Sequence, residues 1–387
     1  MTRKRLIMII LWILSLVGIS FYGGPVSYGF FAAVTAVPVV SLLYVLLVLW
    51  RFKIYQDLDR SRVVADTVSK FYITLQNEDF FTYAGVRVLF YSPFSEVNGM
   101  DDSTEYELAP FSGIKKETSL ICKYRGEYEV GIKSIIVRDY FDLFRITYRN
   151  REPFRVNVLP KIVTPEALHT IDLMDTTAVE TRLNATDPDV LVRDHMPEDG
   201  IRMINWKVSA GHGKLMVRNY IGEEKQGISV IMDSARYSNA PTEYLPVEDQ
   251  ISECVIALTM YFIRNNTPVE VRSYSGRNES HLIKDMADFN SFYTFLSGFR
   301  FTKDNTADKL CAGLSSDHTL YSSKLVIMVL HEMGQQAQLL TADLERNAVS
   351  SIIYLITDDA SEADKANGLT HTKVFVIPPE TDICEVL

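Results

Sequence analysis

The sequence predicts two transmembrane helices, then an all-β sandwich of Ig-like type, then an α/β unit built on a parallel sheet. Three observations lead there. Two charge-free apolar runs fall near the start of the chain. Short, partly alternating segments separated by glycine, proline and polar clusters come next. Continuous apolar runs then alternate with stretches of helical periodicity. The first pattern suits a bilayer, the second a half-buried antiparallel sheet, and the third a sheet covered on both faces.

The cationic stretch Thr2-Arg-Lys-Arg5 precedes the apolar run Leu6 to Tyr22, and a second run, Tyr28 to Trp50, contains Pro38 as its one breaker. Each is about long enough to cross ~30 Å of hydrocarbon at about 1.5 Å per residue. A cleaved signal peptide is the competing reading of the first run. Against it, a second span follows at once after the turn-like Gly23-Gly24-Pro25. Phe21, Tyr22 and Tyr28 cluster at one end of the pair, and Trp50 and Phe52 at the other, as interfacial anchors do. Arg3, Lys4 and Arg5 lie before the first span, Arg51 and Lys53 after the second, and the loop between them carries no charge. Positive flanks stay on the cytoplasmic side. The expectation is a cell-membrane hairpin over residues 1–53, with spans at about 6–22 and 28–50. The soluble portions then face the cytoplasm, and the bilayer is the first partner.

Residues 63–162 read as the sandwich. The segments 71–76, 86–91, 118–124, 131–137 and 154–159 are short and rich in β-branched or aromatic residues. Ser92-Pro93 and Asn98-Gly99 punctuate them. Residues 163–226 read as a linker followed by a charged segment, with Thr164 to Asp189 as loop and short helix. Residues 227–387 form the α/β unit, with strands expected at 228–232, 268–274, 325–330, 351–356 and 373–377. Helices are expected at 251–263, 287–299, 307–314 and 335–346.

Composition narrows the function classes. At 387 residues the chain can hold two or three domains and an ample core. Its net charge of −10 gives no basic face for nucleic acid. Cys122, Cys254, Cys311 and Cys384 are scattered without zinc-knuckle or redox spacing and read as free thiols of a reducing compartment.

The charged segment Arg193 to Arg218 is the densest feature. Pro197 and Gly200 bracket a turn, and Ile201, Ile204 and Val208 recur at helical spacing, with Trp206 beside them facing a core. The segment serves either as a linker with paired charges around a buried Trp or as a recognition surface. It resembles the signature of the family called domain of unknown function 58, a membrane-associated group with the pattern Y-x-P-G-D-D-x-R-x-I-D-W-K-x-S-A-R and then L-x-V-R/K. Pro197, Asp199, Arg202, Ile204, Trp206, Lys207, Ser209, Ala210, Leu215, Val217 and Arg218 match. Glu198, Gly200, Asn205 and Gly211 depart from it. A second hallmark, R-G-x-Y followed by D-P-F-G-L, resembles Arg125-Gly126-Glu-Tyr128 and Asp139-Tyr-Phe-Asp142-Leu143, with Asp142 at the usual glycine. It reads as a turn-fixing motif. The resemblance implies that the α/β unit is of the von Willebrand factor A type, a Rossmann-like fold. It also implies a MoxR-type AAA ATPase as partner.

In an open α/β sheet, ligands gather at the carboxyl ends of the strands. The residues there are Asp233, His331, Glu332, Asp358 and Asp359. Von Willebrand factor A domains often bind a divalent metal through D-x-S-x-S, and Mg²⁺ needs hard oxygen ligands. Here Ala235 and Tyr237 stand at the two serine positions, and the phenol is read as too distant to replace a hydroxyl. Arg236 would add a positive charge beside a cation. The expectation is a degenerate site with no resident cofactor. Asp233, Ser234 and Glu332 are the residues that would contribute if Mg²⁺ were held. No phosphate loop, no nucleophile elbow and no joined set of His195, His212 and His331 supports an enzyme. The sequence thus points to a non-enzymatic, membrane-anchored scaffold that docks the ATPase in protein assembly or envelope homeostasis. Asp199, Arg202, Trp206, Lys207 and Arg218 are its interface or signature residues. The alternative is a metal-dependent ligand-binding module at Asp233.

Overall fold

A computed structural model describes residues 3–59, 63–100, 103–150, 152–168, 187–194, 204, 206–221, 227–315, 319–347, 349–359, 361–362 and 372–387. The chain forms two compact units, Met1–Lys161 and Ile162–Leu387.

The first unit opens with two helices, α1 (Arg3–Tyr22) and α2 (Pro25–Arg51), both long and apolar enough to cross a membrane. Gly23 and Gly24 join them at positive φ, which glycine alone adopts without penalty. Trp12 Nε1 donates to Thr35 Oγ1 at 3.2 Å, fixing the register of the pair. Pro38 is carried inside α2 without ending it.

The β body follows without a linker. Its strands are β1 (Lys53–Leu58), β2 (Val63–Val64), β3 (Val68–Asn77), β4 (Tyr83–Phe90), β5 (Ser95–Asn98), β6 (Glu105–Leu108), β7 (Ser112–Cys122), β8 (Gly126–Val130), β9 (Ile132–Arg138), β10 (Arg145–Arg149) and β11 (Phe154–Leu159). They form sheets ordered β1-β3-β7-β5, β10-β9-β4-β6 and β2-β11-β8. Pairing is antiparallel except for the short β2–β11 contact, which is parallel. Two boundaries differ from expectation. The body begins at Lys53 rather than 63, because β1 pairs with β3 along its whole length. The last turns of α2 also belong to the body, since Val45 and Val48 are fully buried in its core.

A polar knot ties α2 to this body. Asn77 Nδ2 donates to the carbonyls of Phe81, Leu108 and Ala109 at 2.8–3.1 Å. Asn77 Oδ1 accepts from Asp79 N at 2.9 Å. The buried Asp79 carboxylate meets Arg51 Nε at 2.7 Å and accepts from the hydroxyl of the fully buried Tyr83. Burial and the neighbouring Asp79 push the Tyr83 hydroxyl pKa up. Tyr44 of α2 bridges Thr82 O and Ala84 N.

The second hallmark forms a turn between β9 and β10. Asp139 Oδ1 accepts from Phe144 N at 2.7 Å and Oδ2 from Phe141 N at 3.1 Å. Asp142 sits at φ 58°, the left-handed conformation the usual glycine would take, and one that aspartate tolerates better than most residues.

The second unit contains β12 (Asp187–Asp194), α3 (Trp206–His212), β13 (Met216–Ile221), β14 (Gly227–Met232), α4 (Pro241–Arg264), β15 (Val269–Tyr274), β16 (Asn278–Ile283), α5 (Met286–Gly298) and α6 (Ala307–Ser315). After these come β17 (Ser323–Leu330), α7 (Gln335–Arg346), β18 (Ser350–Ile356), β19 (Lys373–Ile377) and α8 (Ile383–Val386). Asp187 and Pro188, expected in a loop, pair instead with Ile221 and Tyr220 of β13 in an antiparallel hairpin. The main sheet runs β16-β15-β14-β17-β18-β19, parallel except for the β16 edge.

The sheet carries a core on each face. Val230, Met232, Ile327 and Val329 pack with α4, α5 and α8. Ile231, Val326, Met328 and Leu330 pack with Cys311 and Leu314 of α6 and with Leu340 and Leu344 of α7. Strands buried on both sides cannot alternate in polarity, which accounts for their continuous apolar sequences. Gly334, at the head of α7, lies close against Asp308, whose Oδ1 accepts from Gln336 N, so a side chain there would require the Asp308 carboxylate to move.

The knot at Asp79 yields a prediction. Asp79→Ala strands the buried Tyr83 hydroxyl and is expected to lower stability by about 1–3 kcal/mol. Arg51→Ala leaves the buried carboxylate with the Tyr83 hydroxyl as its remaining side-chain donor among the described residues and should also lower stability by about 1–3 kcal/mol. Denaturant unfolding of the full chain measures both, and a neutral Asp79→Ala would contradict the assignment.

Candidate functional site

The carboxyl end of the sheet changes direction between β14 and β17, where successive connections leave to opposite sides. Such a switch point is where α/β folds gather ligands. Asp233 follows β14 there and is completely buried. Its Oδ1 accepts from Ala235 N at 2.9 Å. Its Oδ2 accepts from His331 N at 3.1 Å and from the Tyr237 hydroxyl in a short bond. Burial raises the Asp233 pKa, and these three donors act in the opposite direction. Burial and the facing carboxylate hold the Tyr237 hydroxyl well above its usual range.

Each donor is held by its own support. His331 continues β17, and its Nδ1 lies 2.6 Å from Ile356 O at the end of β18. A carbonyl can only accept, so Nδ1 carries the hydrogen. The His331 ring lies 4.1 Å from that of Tyr237, centroid to centroid. The loop after β14 is held by Thr302: Thr302 N donates to Ser234 O at 3.2 Å and Arg236 N to Thr302 O at 3.1 Å. Cys311 of α6 is also part of this end. Its thiol is pushed up to about 12, first by burial and then by the Asp233 charge.

Two expectations about this loop need correction. The Tyr237 phenol is not distant; it folds back onto Asp233. Arg236 is engaged elsewhere. Its Nε and Nη2 meet Glu248 Oε1 and Oε2 at 2.6 and 3.0 Å, and its guanidinium lies 3.9 Å over the Tyr244 ring. Both partners belong to α4.

The residues present do not fit a hard octahedral cation. Such an ion needs several free oxygen ligands. Ala235 offers none, and Tyr237 uses its hydroxyl as a donor to the carboxylate the ion would need. Ser234 Oγ is buried without a hydrogen-bond partner but precedes the D-x-S-x-S hydroxyl position. Glu332 is exposed, and its charge is felt at Tyr237. Asp358 and Asp359 are exposed, and Asp359 caps Ser361 N at 2.9 Å. Among the described residues no group of three or more His, Cys, Asp or Glu side chains could hold a metal.

The signature segment is described in part. Asp199, Arg202, His195 and the Pro197–Gly200 turn lie outside the described residues, as does the side chain of Arg218 in β13. Trp206 opens α3 but is 63% exposed, contrary to the expected buried Trp, while Ile204 is buried. Lys207 is exposed. Ser209, matched but given no role by sequence reasoning, is structural: its Oγ accepts from Met216 N at 2.8 Å and ties α3 to β13. Gly213, at φ 67°, ends that helix by donating to Ser209 O at 3.0 Å.

Residues 191–283 match the family model described as protein of unknown function DUF58, from β12 through the signature to β16. No curated protein matches the chain. Among solved structures, it aligns with an exo-β-N-acetylglucosaminidase from Vibrio harveyi at 7% identity and TM-score 0.17, covering 79% of this chain and 57% of that one. It also aligns with a cycloisomaltooligosaccharide glucanotransferase from Paenibacillus sp. at 8% identity and TM-score 0.17, covering 84% of this chain and 48% of the other. The chain thus spans about half the length of each, and likeness this slight bears on neither fold nor activity.

Tyr237→Phe tests the closed carboxylate. It removes one of three donors and is expected to lower stability by about 1–3 kcal/mol, with Asp233→Ala costing more because it strands Tyr237, His331 N and Ala235 N together. Unfolding of the purified chain measures both; a neutral Asp233→Ala would refute the arrangement.

Proposed function

We propose that this chain is a non-enzymatic, membrane-anchored scaffold whose α/β unit docks a protein partner. The carrying observation is the Asp233 carboxylate, whose two oxygens are occupied by the chain's own donors at the position where related architectures receive a ligand. A strand-end face closed in this way suits recognition by surface shape rather than coordination of an ion.

The supporting features agree with one another. Numbered from β14, the sheet order is 3-2-1-4-5-6 with an antiparallel edge, consistent with a von Willebrand factor A-like unit. The packed antiparallel sheets of the first unit suit an Ig-like sandwich. The cations before α1 and after α2 favour a hairpin anchor with both units in the cytoplasm. The family resemblance supplies the partner class, a MoxR-type AAA ATPase, and the process, protein assembly or envelope homeostasis. Trp206 and Lys207, both exposed on α3, suit a partner-facing role, together with Asp199, Arg202 and Arg218. Exposed aromatic and cationic side chains are common anchors of protein interfaces.

A second reading, a metal-dependent ligand-binding module at Asp233, draws on the unpartnered Ser234 hydroxyl beside it. The two separate cleanly. A chelator would also strip magnesium nucleotide from an ATPase, so the discriminating variant is Asp233→Asn. We expect affinity capture from membranes to recover the ATPase equally with wild type and Asp233→Asn, and several-fold less with Trp206→Ala or Lys207→Glu. Loss of recovery with a folded Asp233→Asn would favour the metal module.

A further inference from the structure

The hallmark turn between β9 and β10 has a role that docking does not use. Asp139 and the left-handed Asp142 fix its backbone, and the fixed turn leaves Tyr140 and Phe141 each 58% exposed. Two more aromatics stand out nearby: Phe80 at 79% and Phe111 at 75%. Contacts place all four at one end of the β body. Tyr140 Oη donates to Thr82 O at 2.9 Å, and its ring lies 5.1 Å from that of Tyr44 in α2. Phe80 follows Asp79, the partner of Arg51, and Phe111 N donates to Asp79 O at 3.1 Å. The aromatic tips therefore surround the base of the helix pair.

Their level against the helices can be read from contacts. Lys4, Ile7, Met8 and Val37 line one cleft with Tyr140 and Phe141. Arg5 Nε donates to Leu143 O at 2.6 Å. The turn thus lies beside the first apolar residues of α1. From Val37, α2 continues thirteen residues to Trp50, about 20 Å at 1.5 Å per residue. Val40, Leu43, Leu47 and Trp50 form an exposed apolar stripe along that stretch. Arg3–Arg5 of α1 mark the hydrocarbon boundary, so Tyr140 and Phe141 lie at it, and Arg51, farther along α2, lies at headgroup level.

We propose that the β9–β10 turn is a membrane wedge. Tyr140 and Phe141 insert among the lipids beside α1 and α2, while Phe80 and Phe111 rest at the shallower headgroup level beside Arg51. The occupant of this apolar collar is the lipid surface, argued from its continuity with the two apolar helices and from the preference of aromatic rings for the bilayer interface. The inference rests on the membrane-anchored reading above. The wedge would hold the β body against the leaflet, so that the hairpin acts as a rigid mount.

Site-directed spin labelling of the full chain tests it, in vesicles of phosphatidylcholine and phosphatidylglycerol. Cys122, Cys254 and Cys311 are buried, so a Cys384→Ser background leaves a single added thiol to label. Labels are placed at Phe141→Cys, Phe80→Cys and Phe111→Cys. Leu14→Cys serves as the control within α1. Val68→Cys serves as the control at the far end of β3, exposed and nine residues from Asn77, about 30 Å away. The expected ratio of oxygen to nickel-chelate accessibility is several-fold higher at 141 than at 68, with 80 and 111 between them. Water-like values at 141 while Leu14 reads lipid would overturn the wedge and leave the anchor standing. Water-like values at Leu14 would overturn the anchor and the wedge together. Shielding of 141 from both reagents would show a protein contact and overturn the lipid assignment.

Discussion

A buried carboxylate must be matched by donors, and Asp233 is matched entirely from within the chain. A fully buried ionised group without partners would be too costly to retain, so the surrounding backbone and side chains are arranged around it. His331 N comes from β17, Ala235 N from the loop after β14, and the phenol from Tyr237 four residues along. Each has its own support, in Ile356 O for the imidazole and Thr302 for the loop. The result joins three neighbouring strand ends at the switch point of the sheet. It also fixes what this end of the molecule can do. A phenolic hydrogen takes the place where an open site would present free oxygen ligands.

The first unit depends on a comparable device. Asp79 and Asn77 gather the end of α2, the β3–β4 turn and the carbonyls before β7 into one polar knot. Its strength comes from buried hydroxyl, amide and carboxylate groups, each of which would be costly to leave without its partner. Because Val45 and Val48 also enter the core, the helix pair and the β body form one structure rather than a tethered bead. That continuity gives the exposed aromatics at the helix base their meaning.

Much of the architecture was legible in the sequence wherever burial dominates. The strands β14, β17 and β18 lie in the middle of their sheet, and their apolar runs announce it. Edge strands with polar sequences were not legible, although the apolar edge strand β19 was. β16 has the polar sequence Asn-Glu-Ser-His-Leu-Ile with alternating exposure, and β1 alternates likewise with only half its residues apolar. The first half of α4 was hidden by Pro246 and by Glu248 and Asp249, which are buried although charged. At the site, the position of Asp233 followed from strand-end logic, but the roles of its neighbours did not. Whether a phenol four residues away turns outward or folds back depends on loop geometry set by Thr302, which is distant in sequence. Trp206 faces solvent because Ile204 and Ser209 carry the inward contacts of that segment, and helical spacing alone does not assign which side is core.

With Tyr237, His331 and Ala235 all donating to it, the Asp233 carboxylate is left poorly suited to coordinate an ion. Titration calorimetry of Mg²⁺ and Mn²⁺ into the full chain, in parallel with Asp233→Ala, measures this directly. No saturable heat is expected at micromolar to low millimolar cation in either protein. Micromolar binding that is present in the wild type and abolished by Asp233→Ala would contradict it.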